Sequence, residues 1–357
     1  MNRKTKILVL GGAFAADLHL DAYSRLTDLA EVVGLCARDP AKTQRLAVRW
    51  RLPAVKHYQD FREAIAHSGA DLVDICLPNY LHAPAALAAF EAGKHVLCEK
   101  PLATTLEDAE AMVAAAERTG KRLYYAEDWL FAPALLKALD LVNEGGLGRP
   151  LYVRARECHS GSHSPYAQTL EFCGGGSLLH LGIHPIGFVL ALKNQPWTEL
   201  TAMSSGGLAG NLRHHALEGE DWAAGLLRFE DGTTALVEAN YLTVGGMEDQ
   251  IDIYGEKGRL HIDLTASSAI SAYSIPGFAY TVEKAEVTTG WSRPAVDERY
   301  TLGYAEEMRH FVECSRAEGG AGVEAKRGVR GADGLEALRV VTLLTRSARE
   351  GKSIRRN

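Results

Sequence analysis

The apolar run Lys6-Ile7-Leu8-Val9-Leu10 passes without a break into Gly11-Gly12-Ala13-Phe14-Ala15-Ala16, and this junction constrains the fold more than any other feature. Continuous apolar strands are those buried on both faces, as in a parallel sheet covered by helices. The same texture recurs in Val32–Ala37, Leu72–Cys76, His95–Cys98 and Arg122–Ala126. Helical patterns over Ala41–Arg49, Ala83–Ala92 and Thr105–Thr119 separate these strands. Strand-helix alternation at this spacing builds right-handed βαβ units, and so an α/β domain with a doubly wound parallel sheet ending near residue 126.

A glycine turn between the first strand and first helix is where a dinucleotide-binding G-x-G-x-x-G/A loop belongs. Gly11 and Ala16 match that template, and Ala13 replaces the glycine that lets backbone approach the pyrophosphate. The pattern alone also fits an ordinary turn of small residues; its place at the head of a βαβ series favours the Rossmann reading. Gly11, Ala13, Phe14 and Ala15 are therefore expected cofactor contacts. At the end of the second strand an acidic residue usually holds the NAD ribose. Here Ala37 stands at that point, with Arg38 placed for adenine or a 2′-phosphate and Asp39 for a ribose hydroxyl or the cap of a helix starting at Pro40. NAD and NADP both stay open.

A chain of 357 residues is long for one core, which favours two domains, residues 1–126 and 127–357. After residue 126 the texture changes. Ala132–Asn143 reads as a helix, Gly145–Pro150 as a turn, Leu151–His159 as a half-buried strand and Leu178–Lys193 as one helix. Alternating strands follow at Thr198–Ser204, Asp221–Phe229, Thr233–Leu242, Gln250–Gly255 and Gly258–Asp263, with Asp231-Gly232 and Glu256-Lys257-Gly258 as hairpin signals. This is an α+β domain with a large open-faced, mainly antiparallel sheet, closed by helices near Tyr304–Ala317 and Asp333–Glu350. Ser205–Asn211 and Glu318–Arg330 read as mobile loops.

The charge balance of 39 basic against 45 acidic residues argues against a nucleic-acid surface. No apolar run approaches the roughly 18 residues of a membrane span, and the first residues lack a signal-peptide pattern, so a cytoplasmic protein is expected. The six cysteines form no CxxC pair and read as buried free thiols.

Glu99-Lys100-Pro101 after a nucleotide-domain strand, together with Pro78-Asn79-Tyr80-Leu81-His82 and the first-helix His19, resembles the Gfo/Idh/MocA family of glucose–fructose oxidoreductase, inositol dehydrogenase and relatives. Gly174-Gly175-Gly176-Ser177-Leu178-Leu179-His180-Leu181-Gly182-Ile183-His184-Pro185 is similar to its substrate-domain motif, and Tyr304–Phe311 to its penultimate helix. The resemblance runs in order along nearly the whole chain. It implies a nicotinamide cofactor held by the residues above with Leu77, Pro78, Asn79, His82, Glu99 and Lys100, a sugar or polyol substrate, a last helix packed back on the first domain, and pairing through the sheet face as homodimer or homotetramer. It also implies that Lys100 lies beside the nicotinamide and the reacting carbon, often ahead of a cis proline.

The substrate-domain motif departs from the family where His180 replaces a common aspartate. The i, i+4 spacing to His184 places both rings on one helix face. His180 would lie in the first helical turn, where dipole and a nearby Lys100 disfavour a cationic ring, so it is expected neutral at pH 7. Histidine suits a base near neutral pH. His184 is therefore the expected acid–base group, Lys100 the group polarising the substrate oxygen, and His180 a hydrogen-bond partner or accessory base. Glu127, Asp128, Trp129, Glu157, His159, His163 and Tyr166 are expected substrate contacts, since carboxylates, imidazoles and aromatic rings bind and stack on sugars. Glu157, His159, His163, His180 and His184 show no tight ligand spacing, and no metal is expected. Arg213-His214-His215 reads as a solvated loop, with an anion site as the alternative. The expected activity is hydride transfer at a secondary alcohol carbon of a sugar, inositol or derivative; the alternative is a glycosidase working through transient oxidation, elimination, hydration and re-reduction.

Overall fold

The computed structural model describes residues 3–265, 270–277, 289–292, 297–316, 325–326 and 328–356. Much of the expected Glu318–Arg330 loop lies outside them. The chain divides into two compact units, Met1–Asp128 with Gly303–Leu338, and Trp129–Leu302 with Arg339–Asn357.

The first unit alternates β1 (Thr5–Leu10), α1 (Phe14–Ser24), β2 (Ala30–Cys36), α2 (Pro40–Arg49), β3 (Lys56–Tyr58), α3 (Phe61–His67), β4 (Leu72–Ile75), α4 (His82–Glu91), β5 (His95–Glu99), α5 (Leu106–Thr119) and β6 (Leu123–Ala126). All six strands are parallel, in the order β3-β2-β1-β4-β5-β6. Ile7, Leu8, Val9 and Leu10 are wholly buried because both faces of the sheet are covered. Local chemistry sets the helix ends. Asp39 accepts from Ala41 N ahead of Pro40, Thr105 accepts from Asp108 N, and Gly120 closes α5 in the left-handed region. The sequence reading missed β3 and α3. β3 is a three-residue polar edge strand with no apolar run to betray it. Asp60, which caps α3 by accepting from Arg62 N and Glu63 N, was the available signal.

The second unit begins with α6 (Pro133–Asn143) and β7 (Pro150–Cys158), followed by the short helices α7 (Leu170–Cys173) and α8 (Ser177–His180) and then α9 (Ile183–Lys193). It continues with β8 (Trp197–Ser204), β9 (Trp222–Phe229), β10 (Thr234–Asn240), β11 (Glu248–Gly255), β12 (Arg259–Asp263), β13 (Ala272–Ser274), β14 (Gly290–Ser292) and α10 (Glu298–Thr301). After these come α11 (Tyr304–Ser315) and the first part of α12 (Gly331–Glu350), which belong to the first unit, and the closing strand β15 (Ile354–Arg355). The main sheet runs β12-β11-β7-β10-β9-β8-β15. It is antiparallel except at its centre, where β7 and β10 pair in parallel with Ala155 beside Val237. The exception follows from topology: the helical segment after β7 carries the chain to the far side of the sheet, and hairpins then bring it back alongside β7. On β7 Val153 and Ala155 face the core, while Arg154 and Arg156 face outwards onto Asp252 and Gln250 of β11.

The expected helix over 178–193 is broken. Leu181 and Gly182 interrupt it, and the axes before and after the break differ by 54°. Gly182 fits there because a Cβ would meet Leu178 O at 2.6 Å. His180 thus ends α8 while His184 lies in the first turn of α9. The expectation of two imidazoles on one helix face fails, and the argument from helix dipole applies to His184 instead of His180.

Candidate active site

In the first unit the strand order reverses between β1 and β4, the point at whose carboxyl edge open α/β sheets bind ligands. Gly11 and Gly12 follow β1 there. Gly11 has φ +132° and a Cβ would strike Cys76 O at 2.3 Å, so glycine is required by the neighbouring backbone itself. Ala13 sits in extended backbone that an L-residue adopts without strain, and no side chain caps the eleven-residue α1 behind it. An uncapped helix N-terminus at a switch point fits a pyrophosphate. The alanine in place of the middle glycine is therefore compatible with a dinucleotide. At the ribose position Ala37 is buried, Arg38 is exposed, and Asp39 uses one carboxylate oxygen to cap α2.

Lys100 follows β5 on the same edge, and its peptide bond to Pro101 is cis. A buried polar chain fixes its backbone. Tyr23 Oη donates to Asp74 at 2.8 Å; His19 contacts Asp74 through Nδ1 at 2.9 Å and Glu99 through Nε2 at 3.0 Å; Glu99 in turn accepts from Lys100 N at 2.9 Å. Both ring nitrogens of His19 face carboxylates, which only accept, so the fully satisfied ring is the imidazolium. Burial pulls the His19 pKa down, but the adjoining Asp74 charge outweighs it and holds the pKa well above the usual histidine value. Glu99, expected to touch the cofactor, is engaged in this chain. His82 was also expected there. It is buried, with Nδ1 on Pro101 O and Nε2 on Leu77 O, both at 2.8 Å, so its ring ties two loops together and has no face for a nucleotide. Burial depresses its pKa, and a neutral ring donates to only one of the two carbonyls at a time. Leu77, Pro78 and Asn79 form the half-buried turn after β4.

Beside this chain lies a second acidic group. Glu127 and Asp128, expected as substrate contacts, are buried at the end of β6, and Tyr125 Oη reaches Glu127 at 3.4 Å. Glu307 of α11 is wholly buried and accepts no hydrogen bond among the described residues. Burial first, then the Asp128 charge, push its pKa well up. Sequence reading overlooked Tyr23, Asp74 and Glu307. An aspartate inside the core strand Leu72–Ile75 was the signal for the first network, and a glutamate on the apolar stripe Tyr304, Glu307, Phe311 for the second.

In the second unit Glu157 and His159 leave the end of β7. His184 Nε2 lies 3.8 Å from Glu157 Oε2, and its ring stacks on Trp129 with centroids 5.8 Å apart and 16° between planes. Trp129 is thus a wall for the imidazole. His159 accepts from Gly161 N at Nδ1 and stacks on Tyr241 at 5.5 Å. His163 is exposed and Tyr166 packs edge-on against Phe172. Gly176, just before α8, has a local reason. A Cβ there would meet Glu220 O and N at 2.2 and 2.3 Å, so the glycine makes room for that backbone. Glu220 caps α8, its carboxylate accepting from Leu178 N and its carbonyl from Ser177 N, both at 2.8 Å. Sequence reading missed this cap, which lies more than forty residues away.

Family comparison agrees with this layout. Residues 5–127 match the model described as an oxidoreductase family with an NAD-binding Rossmann fold, and residues 135–261 match the GFO/IDH/MocA C-terminal domain. The dTDP-3,4-didehydro-2,6-dideoxy-alpha-D-glucose 3-reductase of Saccharopolyspora spinosa is 30% identical over 87% of this chain and 89% of its own. The chain belongs to the Gfo/Idh/MocA family. The D-apiose dehydrogenase of Paraburkholderia graminis is 28% identical over 99% of this chain and 90% of its own. The fold is shared with GenD2 from gentamicin A biosynthesis, solved with NAD, at a TM-score of 0.88 and 23% identity over 99% of this chain and 97% of that one. As a Gfo/Idh/MocA oxidoreductase, the chain takes a nicotinamide cofactor in its first unit.

Proposed function

We propose that this oxidoreductase transfers a hydride to or from a secondary alcohol carbon of a sugar, polyol or sugar derivative. The observation that carries the reading is the lysine at the carboxyl edge of β5, its backbone locked by the buried His19–Glu99 chain beside a dinucleotide switch point. The sugar dehydrogenases and reductases among the relatives support the substrate class. A bound nicotinamide supplies the hydride acceptor or donor. His184, fixed between Trp129 and Glu157, takes or returns the hydroxyl proton, and Lys100 holds the substrate oxygen as charge develops on it. Glu127, Asp128, Glu157, His159, His163, Tyr166 and His180 are the proposed sugar contacts. Position 37 holds no carboxylate to exclude a 2′-phosphate, which supports use of either NAD or NADP. Met203 and Leu226, exposed on the outer sheet face, support pairing of copies there, and six free buried cysteines favour a reducing, cytoplasmic setting. The hydrolytic alternative gains no support from these relatives.

The test is nicotinamide absorbance with a panel of sugars and inositols. Lys100→Ala and His184→Ala should each lower kcat by at least about 100-fold with the fold intact by circular dichroism. Unchanged turnover in both would remove the assignment.

A further inference from the structure

We propose that a cavity in the second unit binds an anionic group, a carboxylate or a phosphate, carried by the sugar; this rests on the oxidoreductase reading. The cavity, about 690 Å³, is walled by the segment after β7 and by the loop before β9, and includes His163, Gln168, Arg213, His214, His215 and Tyr241. No carboxylate lines it among the described residues, although acidic side chains outnumber basic ones in the chain as a whole. A concave wall of one sign concentrates ligands of the other.

The loop that presents Arg213 and His215 is built to hold still. Asp221, wholly buried, accepts three successive backbone N–H groups, from Leu212 at 3.1 Å, Arg213 at 2.7 Å and His214 at 3.0 Å. Those bonds outweigh its burial and keep its carboxyl below the usual aspartate range. The Asn211 amide donates to His214 O, Leu217 O and Gly219 O within 3.1 Å. His214 Nε2 lies 2.8 Å from Tyr241 O, and since a carbonyl only accepts, that nitrogen carries the proton. The ring is thereby fixed edge-on to Tyr241. Arg213 and His215 project from this frame, exposed, and the Arg213 guanidinium makes no ion pair among the described residues. A planar guanidinium on a rigid loop matches the paired oxygens of a carboxylate or phosphate.

Position ties the cavity to the reaction. Tyr241 lines it, stacks on His159 and is buried with Leu181 and Leu217; Leu181 lies three residues before His184. A sugar whose reacting carbon meets His184 can extend an acidic substituent into this cavity. Neutral sugars would leave the charged wall without a partner, so the site discriminates by charge.

The experiment uses the full chain with NAD or NADP and matched pairs: D-glucose against D-glucuronate and D-glucose 6-phosphate, and D-galactose against D-galacturonate. Initial rates are paired with calorimetric binding. The acidic member should lead by about 10- to 100-fold in kcat/KM, mainly through KM, and the lead should shrink as salt rises from about 20 to about 300 mM. The lead should fall in the order wild type, Arg213→Gln, Arg213→Glu, with His215→Gln weakening it as well. The uronate and phosphate arms tell which anion the wall takes. Reduction of cofactor by neutral sugars with no acidic preference, or a preference that survives Arg213→Glu, overturns the anion site alone. Absence of nicotinamide turnover and binding with either class overturns the oxidoreductase reading and the site with it.

Discussion

Replacing His19 with alanine should damage the first unit more than any exposed charge could. The ring is wholly buried and lies 2.9 Å from Asp74 and 3.0 Å from Glu99. Its removal leaves Asp74 with Tyr23 Oη and the Cys76 thiol, and takes the imidazole from Glu99, which keeps the Lys100 amide. Stripping one partner from a buried charge pair costs about 3–5 kcal/mol, because the survivor is left uncompensated. In a unit of this size that corresponds to a fall in Tm of about 6–20 °C. The pH dependence gives a second check. The folded pKa of His19 is raised, so the ring's contribution is complete below the unfolded value of about 6.5 and is lost as pH rises through the folded value. Urea titrations of wild type and His19→Ala at about pH 6 and pH 9 should therefore show the larger difference at the lower pH. Adding Asp74→Asn to His19→Ala should cost less than it does in wild type, since the pair acts as one unit. Turnover should fall as well, through a loosened Lys100 rather than through weaker cofactor binding. A loss below about 1 kcal/mol, or one that grows with pH, would refute the imidazolium bridge.

Glu307→Gln should stabilise the protein, and increasingly so as pH rises. The wild-type carboxyl is raised by burial and by Asp128, so folding must retain a proton that the unfolded chain releases above its ordinary pKa. Urea midpoints measured across pH check this; a glutamine variant less stable at alkaline pH would show that the carboxylate is used. Gly176→Ala should cost at least about 3 kcal/mol, because the added methyl meets the backbone of Glu220 at 2.2 Å and nothing flexible can yield. Thermal melts measure it, and an unchanged Tm would mean the Glu220 segment is free to move.

Why some of this was legible in sequence and some was not follows from the range of each interaction. The Rossmann strands announced themselves because burial on both faces writes an unbroken apolar run, as in Ile7–Leu10. The family motifs pointed to Lys100 and His184, and Asp39 before Pro40 declared its own helix cap. The break at Leu181-Gly182 was not legible. Helical periodicity continues across it, and only the contact of Gly182 with Leu178 and the remote Glu220 cap explain why two helices form where one was expected.

That break moves the helix-dipole argument from His180 to His184. A histidine in the first turn of a long helix meets the positive end of the dipole, which works against its cation. His184 occupies that turn, and Glu157 at 3.8 Å works the other way. The two influences oppose each other on one ring. His180, at the end of a four-residue helix, has no such balance. Removing the Glu157 charge with Glu157→Gln should therefore disfavour protonated His184 and move the acidic limb of the turnover profile to lower pH, while Glu157→Asp should keep part of the effect. A profile unmoved by the glutamine variant would mean that Glu157 binds substrate without tuning the base.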